Sequence, residues 1–419
     1  MGEDAAAARR AIEAVWRAES ARIVAALTRH TGDFAWAEDL AQEALVEALA
    51  AWPVSGIPTT PGAWLLTVAK RRAVDGWRRR ERMSAREPLL AHDVRLAEDV
   101  DTVPELADPD DIADDILRLV FVCCHPVLPA PARLALTLRT VVGLTTEAIA
   151  RVLLMSVPAV QQRIVRAKRT LAESGVPFEV PDRAQRPERL GAVLQVVYLL
   201  FTEGYASADG AAAIRPDVAR EAVRLARVTA ALMPGEAEIH GLIALMEFQS
   251  SRFSARVDAQ GRPVLLADQD RSRWDRSAIR RGTEALARAE SERGYGYYGL
   301  QAAIAQCHAV AARPDETDWD RVVALYDALL TLAPTAVVRL NRAVAVAHQR
   351  DPATALVLVD ELAGELSGFR PWFAVRAELL ERMGRQDAAA AAFDDAAALP
   401  GNAAETAVLR GRADALRSA

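Results

Sequence analysis

The sequence predicts an all-α protein made of several helical modules, and three observations carry that expectation. Hydrophobic residues make up 51% of the 419, aromatic residues only 5%, and alanine is used heavily. Ala, Leu, Arg and Glu favour helices, whereas the β-branched and aromatic runs that favour strands are few. Apolar residues recur at three-to-four spacing through most of the chain, and Pro-rich, Gly-containing or acidic stretches punctuate them. The length suits about two to four domains. The net charge of −6 is unevenly spread, so it excludes no partner by itself.

Taken in order, residues 9 to about 50 are helical by pattern, with Ile12, Val15, Trp16, Ile23, Leu27, Leu40, Ala44 and Leu45 in phase. Asp39, Gln42, Glu43 and Glu47 fall along one side of the second half, an acidic face suited to a basic partner helix. Residues 52–63 hold several structure breakers and are expected to be a loop. The next stretch, from Trp64 to Met83, sets Lys70, Arg71, Arg72, Arg78, Arg79, Arg80 and Arg82 against Asp75 and Glu81. Cations neutralise phosphates, and the rings of Trp64 and Trp77 offer stacking surfaces for unpaired bases or, equally, core. Residues 84–111 then carry nine acidic residues against Arg86 and Arg95, with Pro88, Pro104 and Pro109, which reads as an acidic linker.

After a further helical block from Asp114, the segment from Gly143 to Leu171 reads as two helices joined by a tight turn. Thr145 and Ser156 stand where N-caps belong, and Pro158 falls in the first turn of the second helix. Val160, Ile164 and Ala167 are expected to face inward. That leaves Gln161, Gln162, Arg163, Arg166, Lys168 and Arg169 outward, as in a DNA-reading helix-turn-helix.

Three motifs in this order resemble the sigma-70 family of RNA polymerase sigma factors, in its extracytoplasmic-function (ECF) type, over residues 10–173. AEDLAQEAL resembles the region-two helix that docks on polymerase, which implies polymerase binding by Asp39, Gln42 and Glu43. WLLTVAKRRAVDGWRRR resembles the segment that opens the promoter −10 element, implying DNA contacts by Trp64, Lys70, Arg71, Arg72, Trp77, Arg78 and Arg79. The helix-turn-helix resembles the region-four reader of the −35 element, implying Gln161, Gln162, Arg163, Val165, Arg166, Lys168 and Arg169. The implied partners are promoter DNA and core RNA polymerase, through the β′ clamp helices and the β subunit. Two departures stand out: Arg71 replaces the usual Asn, and Leu154 stands where the turn often carries Gly.

The remainder is helical by pattern, with Pro234, Pro334 and Pro400 spaced near multiples of a tetratricopeptide-like (TPR-like) unit. The expected organisation is region 2 at 1–83, linker at 84–113, region 4 at 114–180 and a TPR-like extension at 181–419, taken as regulatory. An inhibiting extension would pack on the promoter-reading surfaces, making an intramolecular contact; an assisting one would touch polymerase. Clustered Asp268, Asp270 and Asp275 are read as salt-bridge partners of the nearby arginines rather than a metal site. Cys123, Cys124 and Cys307 are read as buried thiols in a reducing cytoplasm. No long apolar span, nucleophile–base pair, phosphate loop, cofactor motif or metal motif is legible, so no catalytic residue, cofactor or membrane role is expected. The rival readings are a helix-turn-helix regulator that does not replace sigma, and an enzyme in the extension using Asp268, Asp270 or His308.

Overall fold

A computed structural model describes residues 2–84, 109–153, 155–182, 184–205, 216–256, 258, 264, 266–399 and 403–418. Among these, the regular structure is helical throughout. The chain forms two compact units, residues 1–199 and residues 200–419.

The first unit opens with α1 (Gly2–Thr31), α2 (Phe34–Ser55) and α3 (Pro61–Ser84), each packed against the other two. The helical pattern of residues 9–50 is therefore broken once. Gly32 closes α1 at φ 68°, a left-handed conformation that costs other residues about 1 kcal/mol. Asp33 then caps α2 by accepting from the Trp36 amide at 3.0 Å. Ala37, Ala41, Ala44 and Ala48 are fully buried along α2, and these small side chains let its neighbours approach closely. The expected loop at 52–63 is shorter in the structure. Pro53 lies within the last turn of α2, which continues through Ser55 and closes where the Gly56 amide, at φ 82°, donates to the Trp52 carbonyl at 3.0 Å; the proline removes only one backbone bond. Pro61 then starts α3, a position where its missing N–H is no loss.

The unit continues with α4 (Pro109–Cys123), α5 (Ala130–Thr140), α6 (Thr146–Val152), α7 (Val157–Glu173) and α8 (Arg186–Tyr205). Helix α4 packs on α1, and α7 packs on α5, α6 and α2. The early part of α8 belongs here, since Arg189 donates to the Phe121 carbonyl at 3.0 Å. The compact unit thus extends past residue 180 to Leu199. Cys123 and Cys124 are buried and free; burial raises both thiols, that of Cys124 to about 11.

The second unit follows with α9 (Pro216–Leu232), α10 (Ala237–Ser250), α11 (Arg276–Arg293) and α12 (Tyr297–Val310). Helices α10 and α12 touch backbone to backbone: a Cβ on Gly241 would lie 2.6 Å from the Gly299 nitrogen. Glu238, one turn earlier on α10, caps α12 by accepting from the Tyr298 amide at 3.0 Å. Glu247 is 2% exposed and joins three helices, paired with Arg227 of α9 and, at 2.9 Å, with Arg281 of α11.

Consecutive helices then stack: α13 (Trp319–Leu332), α14 (Ala336–Gln349), α15 (Pro352–Asp360), the short α16 (Ala363–Leu366), α17 (Arg370–Arg382), α18 (Gln386–Ala398) and α19 (Ala403–Ser418). Asp318, Thr335 and Asp351 cap α13, α14 and α15, so the polar residues at each turn are explained locally. Gly384, at φ 74°, makes the turn before α18, and Ala389, Phe393 and Ala396 are buried at helical spacing. Each helix pair has a face it cannot bury alone, so the cores run between pairs, around Leu300, Ile304 and Val322 in one and Trp372, Leu380 and Phe393 in the next.

Two of the three carboxylates singled out at 268–275, Asp270 and Asp275, act otherwise than expected. Asp275 caps α11 through the Ser277 amide at 2.8 Å, and Asp270 accepts from the Ser272 amide at 2.9 Å. Arg271 is 6% exposed and donates to the carbonyls of His308 and Ala311 at 2.7 and 2.6 Å. Local capping wins because these carboxylates precede helical turns whose amides lack partners. Gly261, Pro263 and Pro400 lie outside the described residues.

This unit is expected to be acid-sensitive. Burial, followed by the charges of Arg252, Arg271 and His348, pushes the His308 imidazole down to about 4. Below its ordinary value of 6.5, the unfolded chain takes up a proton that the folded chain refuses, so stability falls as pH drops from 6.5 towards 4. Urea unfolding at pH 5 should show a loss of about 1–2 kcal/mol against pH 7, with a flatter profile for His308→Gln.

Candidate nucleic-acid interface

The helix-turn-helix is built by its caps. Thr145 accepts from the Ala148 amide at 3.2 Å and Ser156 from the Ala159 amide at 3.3 Å, which fixes where α6 and α7 begin. Val160, Ile164, Ala167 and Leu171 are buried at helical spacing, seating α7 on the unit. Gln161, Gln162, Val165, Arg166 and Arg169 are exposed, and Arg163 is partly so. Val165 is 62% exposed, unusual for an aliphatic residue in a well-packed helix and suited to contact with a thymine methyl group. Arg169 is paired with Glu173 at 2.6 Å on the open surface, an interaction worth little in water and readily exchanged for phosphate. Leu154, in the turn, lies outside the described residues.

Lys168 departs from the outward group. It sits four residues after Ile164 and one after Ala167, so it borders the buried stripe rather than opposing it. Its ammonium is bound by Glu38 and, at 2.8 Å, by Asp39 of α2. Burial lowers its pKa, but Glu38 and Asp39 together outweigh that and raise it.

In α3 the basic residues divide by helical face. Arg71 and Arg78 are exposed and Lys70 is partly buried. Arg72 points to α2 and pairs with Glu43 at 2.9 Å and Glu47 at 2.8 Å. The side chain of Arg79 and residues 85–108, most of the acidic linker, lie outside the described residues. Both tryptophans contribute to packing: Trp64 meets Trp52 edge-on at 5.3 Å, and Trp77 lies 5.5 Å from Trp36 and 5.2 Å from His30. Each is only partly buried, which leaves ring surface available to a base.

The acidic face of α2 has a buried centre that sequence reasoning missed. Glu38 is 2% exposed and is approached by Lys168 of α7 and by Arg139 of α5, whose Nε lies 3.6 Å away. Arg139 also donates to the Gln42 side chain. The available signal was helical phase, since Glu38 and Gln42 are one turn apart beside the buried alanine stripe.

A helical bundle with an acidic helix and a basic one, followed by a capped helix-turn-helix, defines a transcription-initiation factor of the sigma-70 class. The comparisons agree: the model for sigma-70 region 2 matches residues 15–83, and that for sigma-70 region 4 matches residues 118–171. The chain is 35% identical over 153 residues to the ECF RNA polymerase sigma factor SigL of Mycobacterium tuberculosis (strain ATCC 25618 / H37Rv), covering 35% of this chain and 81% of SigL. This chain belongs to the ECF RNA polymerase sigma factors. A second relative, a protein of Rhizobium meliloti (strain 1021) described as uncharacterized, is 46% identical over 397 residues, 93% of this chain and 92% of its own length. A family of unknown function, DUF6596, matches residues 189–290 and accounts for part of the extension. No helix among the described residues is long and apolar enough to cross a membrane, and no group of three or more metal-ligating side chains occurs among them.

Proposed function

We propose that this sigma factor docks on core RNA polymerase through Asp39, Gln42 and Glu43 of α2, and that α3 captures the melted −10 element while α7 reads the −35 element. The exposed row on α7 carries the reading: Gln161, Gln162, Val165 and Arg166 stand free of the protein core on a helix whose opposite face is buried. Gln and Arg read purine edges in the major groove, and Arg71, Arg78 and Arg169 supply phosphate contacts. Opening the −10 element costs unstacking energy, which binding of bases beside Trp64 and Trp77 offsets. The chain acts in the cytoplasm on promoter DNA and polymerase, without catalytic chemistry of its own. Residues 200–419 form a fused regulatory module; stacked helix pairs present long surfaces suited to protein contacts.

The test is run-off transcription with core polymerase, comparing the full chain with one ending at Leu199, the limit of the first unit. A transcript from only one of the two shows whether the extension restrains or assists initiation. Failure of both to direct a transcript, or to co-elute with core polymerase, refutes the sigma reading.

A further inference from the structure

Two of the three α2 side chains assigned to polymerase, Asp39 and Gln42, are engaged by region 4 in this structure. Lys168 holds Asp39 and the buried Glu38, while Arg139 reaches Glu38 and Gln42. The third, Glu43, is bound by Arg72 from α3. Lys168 is itself withdrawn from the DNA-reading row, with its side chain only 14% exposed. A second bridge joins the same two modules: Asp115 of α4, 4% exposed in its side chain, meets Arg29 of α1 at 3.3 Å. A carboxylate as buried as Glu38 is tolerated because cations sit against it, so these contacts hold one another in place.

We propose that region 4 and core RNA polymerase compete for one surface, the Glu38–Asp39–Gln42 face of α2, so that polymerase loads only onto molecules in which region 4 has swung away. The partner that fits this face is a basic helical surface, and region 4 supplies one from within the chain through Arg139 and Lys168. The proposal rests on the reading that α2 docks polymerase. Closure lowers the apparent affinity for polymerase by the fraction of molecules that are open. Opening frees Lys168 for DNA at the moment it frees Asp39 for polymerase.

Treating the full-length protein with a carbodiimide, which joins an amine to a touching carboxylate, is expected to give a Lys168–Asp39 linked peptide. In the complex with core RNA polymerase the yield should drop at least about fivefold. Absence of the link in the free protein, or equal yield in both states, overturns the proposal. Separately, an R139A/K168A chain should bind core polymerase about fivefold to tenfold more tightly, measured without DNA, because the closed state no longer taxes binding. Unchanged affinity in such a chain with wild-type helicity also overturns it. An E43K chain tells the two ideas apart. If E43K binds polymerase normally, the docking reading fails and the competition with it. If E43K no longer binds while R139A/K168A shows unaltered affinity, only the competition fails.

Discussion

Replacing Asp39 and Glu43 together by lysine is expected to reduce binding to core RNA polymerase by at least about 100-fold, since setting like charges against each other costs several kcal/mol. The side chains of Asp39 and Glu43 are 65% and 54% exposed, so the exchange leaves the apolar packing of α2 intact. Glu13→Lys, a change at an exposed position on α1, serves as the control and should bind within twofold of the unaltered chain. Size-exclusion co-elution and fluorescence anisotropy would check this, with helicity measured alongside. Normal binding by the double variant would remove polymerase docking from α2 and leave the two DNA-facing helices, α3 and α7, as the assigned interfaces.

The second large effect belongs to α7. Gln162→Ala with Arg166→Ala should lower transcription from a cognate promoter by about 30-fold or more, because removing a side chain that reads a base edge costs about 1–3 kcal/mol. Both side chains are exposed, and the buried stripe of Val160, Ile164 and Ala167 is untouched, so stability should hold. Arg169→Ala should behave differently, weakening binding to all sequences alike and reducing the salt slope by about one. Promoter footprinting across a salt series separates the two patterns. Equal losses on cognate and unrelated DNA for the Gln162/Arg166 variant would show that these residues position the protein without reading sequence.

Much of the fold was legible because short-range rules decide it. Thr145 and Ser156 start helices through bonds to amides three residues away, and such bonds are visible in sequence; Asp33 does the same at the break between α1 and α2, which the continuous apolar pattern hid. The buried stripe of α7 likewise follows from helical phase. Pro53 misled, because a proline in the last turn removes a single backbone bond, and the helix still runs on to Ser55. The roles of Lys168 and Arg72 could not be read from their own segments. Each belongs to a basic run that looks solvated, and each is claimed by carboxylates of α2, from 25 to 130 positions away. Asp270 and Asp275 were misjudged at short range: ion pairs with the nearby arginines were expected, and the amides of Ser272 and Ser277 took them. In the extension, the helical pattern was readable, whereas the Gly241–Gly299 approach depends on two helices that only tertiary structure brings together.

The three cysteines have a use that their chemistry alone would not suggest. All are buried thiols, with Cys123 and Cys124 in the first unit and Cys307, 5% exposed, in the second. Alkylation requires a thiolate in reach of solvent, and burial denies both conditions in the closed fold. Modification at each position therefore proceeds only as fast as the surrounding helices breathe. Mass spectrometry of a labelling time course would resolve the opening rates of the two units within one molecule, without any introduced probe.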